Sequence, residues 1–257
     1  MRRVVLGFCL ALLLAPLSVL ADSHEKPPAL SDVWQVVPKQ GMENQFEEAV
    51  KAHMAFRAEA GESRAWWVFT PTIGYNMNMY AFRSCCFNWA DMDTYVAEGQ
   101  EKGFGENWNA NVHQYVDHYH HYVEKTDWEN SHWPDSPKGP YYGVTELIWK
   151  EDAGSETSDA MEKMSQVALE EGWSEQGREW VWLNRTGGKP AMAIVISYEN
   201  YAAMEPPEQS FGAFLREKLG EEEAAAVFAD FNAGFKSSQY SVWYYREDLS
   251  TPSSEEE

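Results

Sequence analysis

The chain repeats itself, and a tandem repeat constrains a fold more than any single motif. Asn88-Trp89-Ala90-Asp91-Met92-Asp93 returns as Asn200-Tyr201-Ala202-Ala203-Met204-Glu205. Each copy follows an apolar run that ends in serine, at Ser84 and Ser197. Upstream, Arg64-Ala65-Trp66-Trp67-Val68-Phe69 resembles Arg178-Glu179-Trp180-Val181-Trp182-Leu183, and Val33-Trp34-Gln35-Val36-Val37 resembles Val144-Thr145-Glu146-Leu147-Ile148. Downstream, Trp108-Asn109-Ala110 matches Phe231-Asn232-Ala233, which sets Tyr122 against Tyr245. The matches keep one order, and the insertions fall between them. The segment 128–139 holds Pro134, Pro137 and Gly139 and reads as a linker. The expected organisation is a first repeat over 22–127, that linker, a second repeat over 140–250 and an acidic tail over 251–257.

Both copies carry the same predicted elements. A strand opens each, over 32–37 and 143–149. An amphipathic helix follows over 42–60 and 157–171; in the first, Phe46, Ala49, Val50, His53, Met54 and Phe56 keep mostly to helical spacing. Two strands come next, over 65–70 with 76–84, and 179–184 with 191–197. Pro71 to Gly74 and Arg185 to Pro190 supply the turns. Helical regions run from Met92 to Val112 and from Glu208 to Ala233, interrupted at Gly103-Phe104-Gly105 and at Gly220. Glu221-Glu222-Glu223 suits a helix start, where acids complement the dipole. Gly234 sits where a left-handed cap is expected. A last strand closes each copy, over 117–123 and 240–245. The order β-α-β-β-α-β is the split ferredoxin-like unit, an antiparallel sheet with helices on one face. Its other face needs cover, and a second copy supplies it. The predicted class is α+β: two tandem ferredoxin-like β-α-β-β-α-β repeats forming a pseudo-dimeric α/β barrel.

Two such units, with an Asn-aromatic-Ala-x-Met-acid element after the third strand, resemble the dimeric α/β-barrel superfamily, which includes antibiotic-monooxygenase-like and NIPSNAP-like domains. The resemblance covers nearly all of the chain beyond residue 21. It implies the fold and a central cavity, and it assigns no catalytic residue.

The first twenty-one residues stand apart. Arg2-Arg3, an apolar run from Val4 to Leu14, and Val19-Leu20-Ala21 read as a signal peptide cut after Ala21. The expected location is therefore periplasmic or secreted, with no membrane attachment after cleavage. Lys and Arg number 20 against 41 Asp and Glu, a net charge of −21. So acidic a chain is a poor match for phosphate backbones, and no nucleic-acid partner is expected. Cleavage would also remove Cys9 and leave the adjacent pair Cys85 and Cys86. Neighbours on a strand point to opposite faces, so one buried and one exposed thiol are expected, with a redox pair, an intermolecular link or a metal as alternatives.

All seven histidines lie before residue 133, and four cluster at His113, His118, His120 and His121. On a strand, His118, His120 and Tyr122 share one face, and Asp117, Tyr119 and His121 the other. The corresponding second-copy residues are Ser241, Trp243 and Tyr245. Two imidazoles at i, i+2 suit Zn, Cu or Ni only with a third ligand, and Gln35 or Glu146 would have to supply it. No cofactor is predicted, with haem or a transition metal as the alternative. Gln35, Asn78, Arg83 and Glu146 interrupt apolar strands, and buried polar groups need partners. With His118 and His120 they are the candidate walls of a small-molecule cavity between sheet and helices. His118 or His120 is the candidate proton acceptor if chemistry occurs. The expected function is binding of a small, partly aromatic or apolar molecule. The alternatives are a cofactor-independent monooxygenase, a haem- or metal-dependent oxidoreductase, and a non-catalytic interaction module. Self-association is compatible with each.

Overall fold

The computed structural model describes residues 27–134 and 138–252. The expected leader and the last five residues of the acidic tail lie outside the described residues. The first repeat contains β1 (Leu30–Pro38), α1 (Glu43–Glu59), β2 (Trp67–Ile73), β3 (Tyr80–Phe87), α2 (Trp89–Glu101), α3 (Phe104–Asn111) and β4 (Val116–His132). The second contains β5 (Tyr141–Trp149), α4 (Ser155–Glu170), β6 (Trp180–Thr186), β7 (Ala191–Tyr198), α5 (Phe211–Leu219), α6 (Glu221–Ala233) and β8 (Phe235–Tyr245). Both predicted helical regions break at a glycine in the left-handed region, Gly103 at φ 71° and Gly220 at φ 85°. Gly234 is an ordinary right-handed end at φ −80°, so its expected left-handed cap is corrected: the chain passes from α6 directly into β8.

Eight strands close in the order β1-β3-β2-β8-β5-β7-β6-β4, every neighbouring pair antiparallel. Each repeat supplies four consecutive strands in the ferredoxin-like order. The halves are joined by hydrogen-bonded edges, β2 to β8 and β4 to β6, so their unpaired strand edges disappear into the closure. Counting alternations round the ring, β1 and β5 run the same way, and the repeats are related about the barrel axis.

Helices cover the outside, and each repeat has its own outer core. In α1, Phe46, Val50, His53 and Met54 fall on one face and are buried. They pack with Val68, Phe82 and Val112 against the outer side of the first sheet. In α4 the buried face is Thr157, Ala160, Met161, Met164, Ser165 and Ala168, again at helical spacing. It packs with Trp180, Trp182 and Leu215 on the second sheet. A third cluster, Val181, Leu183, Ala193 and Val195, belongs to inward-facing positions of the barrel.

Several boundaries differ from expectation, each for a local reason. β3 begins at Tyr80, because 74–79 form a turn in which Asn76 has φ 54°. β2 continues through Pro71 to Ile73; proline, which donates no ladder hydrogen bond, is carried next to an irregularity in the β2–β8 pairing. β4 runs to His132, so the first part of the expected linker is strand paired to β6. The chain after β8 returns to the first repeat. Leu249 is fully buried in the first repeat's outer core. Arg246 N donates to Val68 O at 2.7 Å and Thr251 N to Trp66 O at 2.9 Å. Arg246 also grips Glu47 of α1 with both terminal nitrogens at 2.8 Å.

Candidate functional site

The space the fold leaves open lies inside the barrel. It measures about 1210 Å³ and is walled by inward side chains of all eight strands. The cavity is the central one that the resemblance implies; the sheet–helix interfaces, the other expected place, are filled by the outer cores. An eight-stranded barrel is just wide enough to be plugged by side chains or to hold one small ligand. Here Val33, Ala81, Val144, Ala193 and Ser241 occupy inward positions, and residues of that size leave the axis open. One mouth is ringed by the β2–β3 and β6–β7 connections, with Tyr75, Asn76, His120, Tyr240 and Lys189. The other carries Trp128, Trp133, Cys85 and Cys86.

Strand register explains which side chains meet. Val33 lies opposite Arg83 on β3 and Tyr122 on β4, and Gln35 lies opposite Ala81 and His120. Glu124 lies opposite Ser31 on β1 and Arg185 on β6. Directly opposed residues share a face, so Gln35, Arg83, Tyr122, Glu124 and Arg185 converge. Gln35 Nε2 donates to Tyr122 Oη at 3.0 Å. The Arg185 guanidinium lies over the Tyr122 ring, 3.9 Å from its centre, and donates to Glu146 Oε1 at 2.6 Å. Arg83 donates through Nη2 to Ser31 Oγ at 2.6 Å, while its Nε stands 3.9 Å from Glu124 Oε2, beyond hydrogen-bond reach. The buried Nε atoms of both Arg83 and Arg185 have no hydrogen-bond partner, nor has Thr126 Oγ1. The rest of the wall, on β2, β8 and β5, is aromatic: Trp67, which abuts Arg83, then Phe69, Tyr142, Trp243 and Tyr245.

Burial dominates the electrostatics. It pushes the Glu124 carboxyl up, against the pull of Arg83 and Arg185, and it pushes the Tyr122 phenol up as well. Burial also weighs against the charge on Arg83, more than Glu124 offsets. A guanidinium keeps its proton in proteins, so the carboxyl is the group that yields.

The residues expected from sequence are partly brought together. Gln35, Arg83, Glu146 and His120 line the interior. His118 and Asn78 do not; both border a smaller hollow of about 430 Å³ at the mouth, with Asp117 and Asn76. That placement corrects their reading as interior wall residues, because the 74–79 turn and the first residues of β4 project past the closed part of the barrel. His118 Nδ1 is 2.7 Å from Asp117 Oδ2, and its ring stands at 77° to that of His120 with centres 5.3 Å apart. Glu146, the suggested third metal ligand, is held by Arg185 instead. Among the described residues, no group of three or more His, Cys, Asp or Glu is placed to share a metal ion.

Sequence reasoning missed Tyr122 as an anchor, and Glu124, Arg185 and the aromatic wall altogether. Glu124 and Arg185 fall at boundaries: the predicted strand ends at Val123, and Arg185 opens a predicted turn. The signal that finds Glu124 is the period of two from His120 through Tyr122. Cys85 and Cys86 are joined by a disulfide, with a cis peptide between them and Cα atoms 3.0 Å apart. The expected separate thiols assumed the wider trans spacing.

Comparison with known proteins identifies the architecture and stops there. No family model matches the chain, and no curated protein matches it in sequence. Two solved structures, each named "putative monooxygenase", resemble it. The one from Lactobacillus acidophilus NCFM has a TM-score of 0.53 at 9% identity, over 87% of this chain and 95% of that one. The one from Fusobacterium nucleatum has a TM-score of 0.53 at 8% identity, over 85% and 92%. The chain has the dimeric α/β-barrel fold expected from its repeats.

Proposed function

We propose that the protein holds a small, partly aromatic molecule inside its barrel. The observation that carries this reading is the open interior itself, a cavity of about 1210 Å³ with aromatic side chains on one wall and convergent polar groups on the other. Protein interiors are otherwise close-packed, and a concave, largely apolar site with a few placed polar groups is the usual form of a ligand pocket. Native mass spectrometry of the protein purified without denaturation tests this. A single small molecule per chain, released on unfolding and absent from an Ala193→Trp variant that fills the interior, is the expected result. A chain with no bound molecule and no affinity for either naphthalene-2-methanol or naphthalene-2-carboxylate would overturn it.

A second reading, that the bound molecule is also transformed, is favoured by Glu124, an acid raised by burial within the cavity and able to hold or move a proton. An oxidative reaction is the form that the fold's similarity to the two structures suggests by analogy. A visible spectrum with metal analysis separates a cofactor-free oxygenase from a haem- or metal-dependent enzyme. Oxygen consumption with the released molecule, lost in Glu124→Gln, separates either from simple binding.

A further inference from the structure

We propose that the Arg83–Arg185 wall is an anion subsite, which takes the carboxylate of a flat aromatic acid whose ring lies against Trp243 and Tyr142. This rests on the reading of the barrel as a small-molecule site, and it adds the ligand's charge and orientation. Two guanidiniums flank Tyr122 and Glu124, both reaching Glu124 electrostatically. Their negative counterparts are unequal. Glu146 is bonded to Arg185 at 2.6 Å and neutralises it. Glu124 stays 3.9 Å from Arg83. Arg83 is therefore left with one hydroxyl partner, Ser31. The side chain of Arg83 is 26% accessible, and Arg83 lines the cavity. Its Nε and that of Arg185 are buried donors without acceptors, and a buried donor without an acceptor is a rare feature in a folded protein. An ionised carboxylate in the cavity meets the part of the Arg83 side chain that stays accessible and supplies the missing negative charge, and arginine matches its planar geometry.

Burial pushes Glu124 towards its neutral form, which leaves the wall with excess positive charge rather than a balanced set. Had both glutamates been tightly paired, a neutral ligand would fit better. The ring position follows from the opposite wall, where Tyr142 and Trp243 are paired across β5 and β8. Aromatic rings stack favourably there.

Calorimetric titration with naphthalene-2-carboxylate and with naphthalene-2-methanol tests the assignment. Wild-type protein is expected to bind the carboxylate at least about ten-fold more tightly, the least that a charge-assisted bond contributes. Arg83→Gln is expected to bring the two affinities together by weakening the carboxylate more than the alcohol. The double variant Arg83→Gln with Glu124→Gln removes both members of the loose pair, so it keeps the test valid if the single variant does not fold. Equal affinities in wild-type protein, or equal weakening of both probes by Arg83→Gln, would overturn the anion subsite and leave the cavity as a binding site. If neither probe binds, the reading of the cavity falls, and the subsite with it.

Discussion

The two repeats share their outer architecture and differ in what they turn inward. Ladder pairing sets the correspondence: Gln35 faces Ala81 and His120 as Glu146 faces Ala193 and Gln239. Extended along the strands, this sets Arg83 against Val195, Tyr122 against Ser241, and Glu124 against Trp243. Arg185 on β6, opposite Glu124, corresponds to Pro71 on β2, opposite Trp243. Every charged group of the polar wall thus has an uncharged counterpart, Glu146 included, which answers to Gln35. A symmetric pair of identical chains would have to place each charge twice. A fused pair is free of that constraint, and this one has sorted charges to one wall and aromatic rings to the other.

The sharpest way to break the comparison is to copy a charge across it. Val195→Arg places a cation on the apolar stretch beside Val181 and Val144, where the nearest acid along the inward face of β5, Glu146, is already held by Arg185. An uncompensated buried charge costs about 3–5 kcal/mol. The reverse change, Arg83→Val, is expected to cost about 1–2 kcal/mol, because Glu124 can take a proton and lose its charge. Urea unfolding at neutral pH measures both. Equal costs would mean that the walls are interchangeable and that the asymmetry carries no energy.

Acid should separate the repeats next. His53 is buried in the first outer core, its Nδ1 2.8 Å from Asn107 Oδ1 and its Nε2 3.2 Å from Arg57 Nη1. Burial, helped by Arg57, lowers its pKa to about 4. The unfolded imidazole titrates near 6.5. Between those values the unfolded chain binds more protons, so this contribution to stability is full above pH 6.5 and is lost as pH falls towards 4. The expected loss is at most about 3 kcal/mol. The second repeat contains no histidine. Hydrogen exchange near pH 5 is therefore expected to show α1 opening more readily than α4, and His53→Gln is expected to reduce the difference. Parallel loss of protection in both helices would refute the assignment.

A smaller effect tests how the second repeat is fastened to the first. Glu47 accepts from Arg246 and from Tyr80 Oη at 2.7 Å. The Arg246 hydrogen bonds, outweighing burial, hold its carboxyl below the usual range. That stabilisation is present above the unfolded carboxylate pKa and is lost as pH falls through the lowered one. Glu47→Gln is expected to cost about 1 kcal/mol at pH 7, discounted for partial exposure, and nothing measurable in strong acid. A cost that stays constant with pH would show that the clamp is held by shape rather than charge.

These contrasts also show what the sequence made legible. Gln35 and Glu146 could be matched before any coordinates, because both interrupt the same apolar opening strand. The shared face of His120 and Tyr122 followed from strand geometry alone. Glu124 and Arg185 were hidden because a charged residue near a strand end looks like solvent-facing turn, and only barrel closure makes those positions internal. Aromatic likeness aligns Tyr122 with Tyr245, whereas hydrogen-bond register aligns it with Ser241. Side-chain resemblance tracks ancestry poorly where two copies have taken different tasks; backbone pairing keeps the correspondence.

The smallest expected effect separates mouth from interior. His118 is exposed and bonded to the exposed Asp117, and it borders the outer hollow rather than the barrel space. An exposed pair of this kind is worth little to stability. His118→Ala is expected to shift unfolding by less than about 0.5 kcal/mol and to leave the affinity for naphthalene-2-carboxylate within two-fold. His120, also at the mouth, lies opposite Gln35 and borders the barrel space as well as the outer hollow. The same change at His120 should therefore alter that affinity more than it alters stability. If His118→Ala weakens the carboxylate as much as Arg83→Gln does, the ligand sits at the mouth, and the division between polar and aromatic walls has nothing to do with holding it.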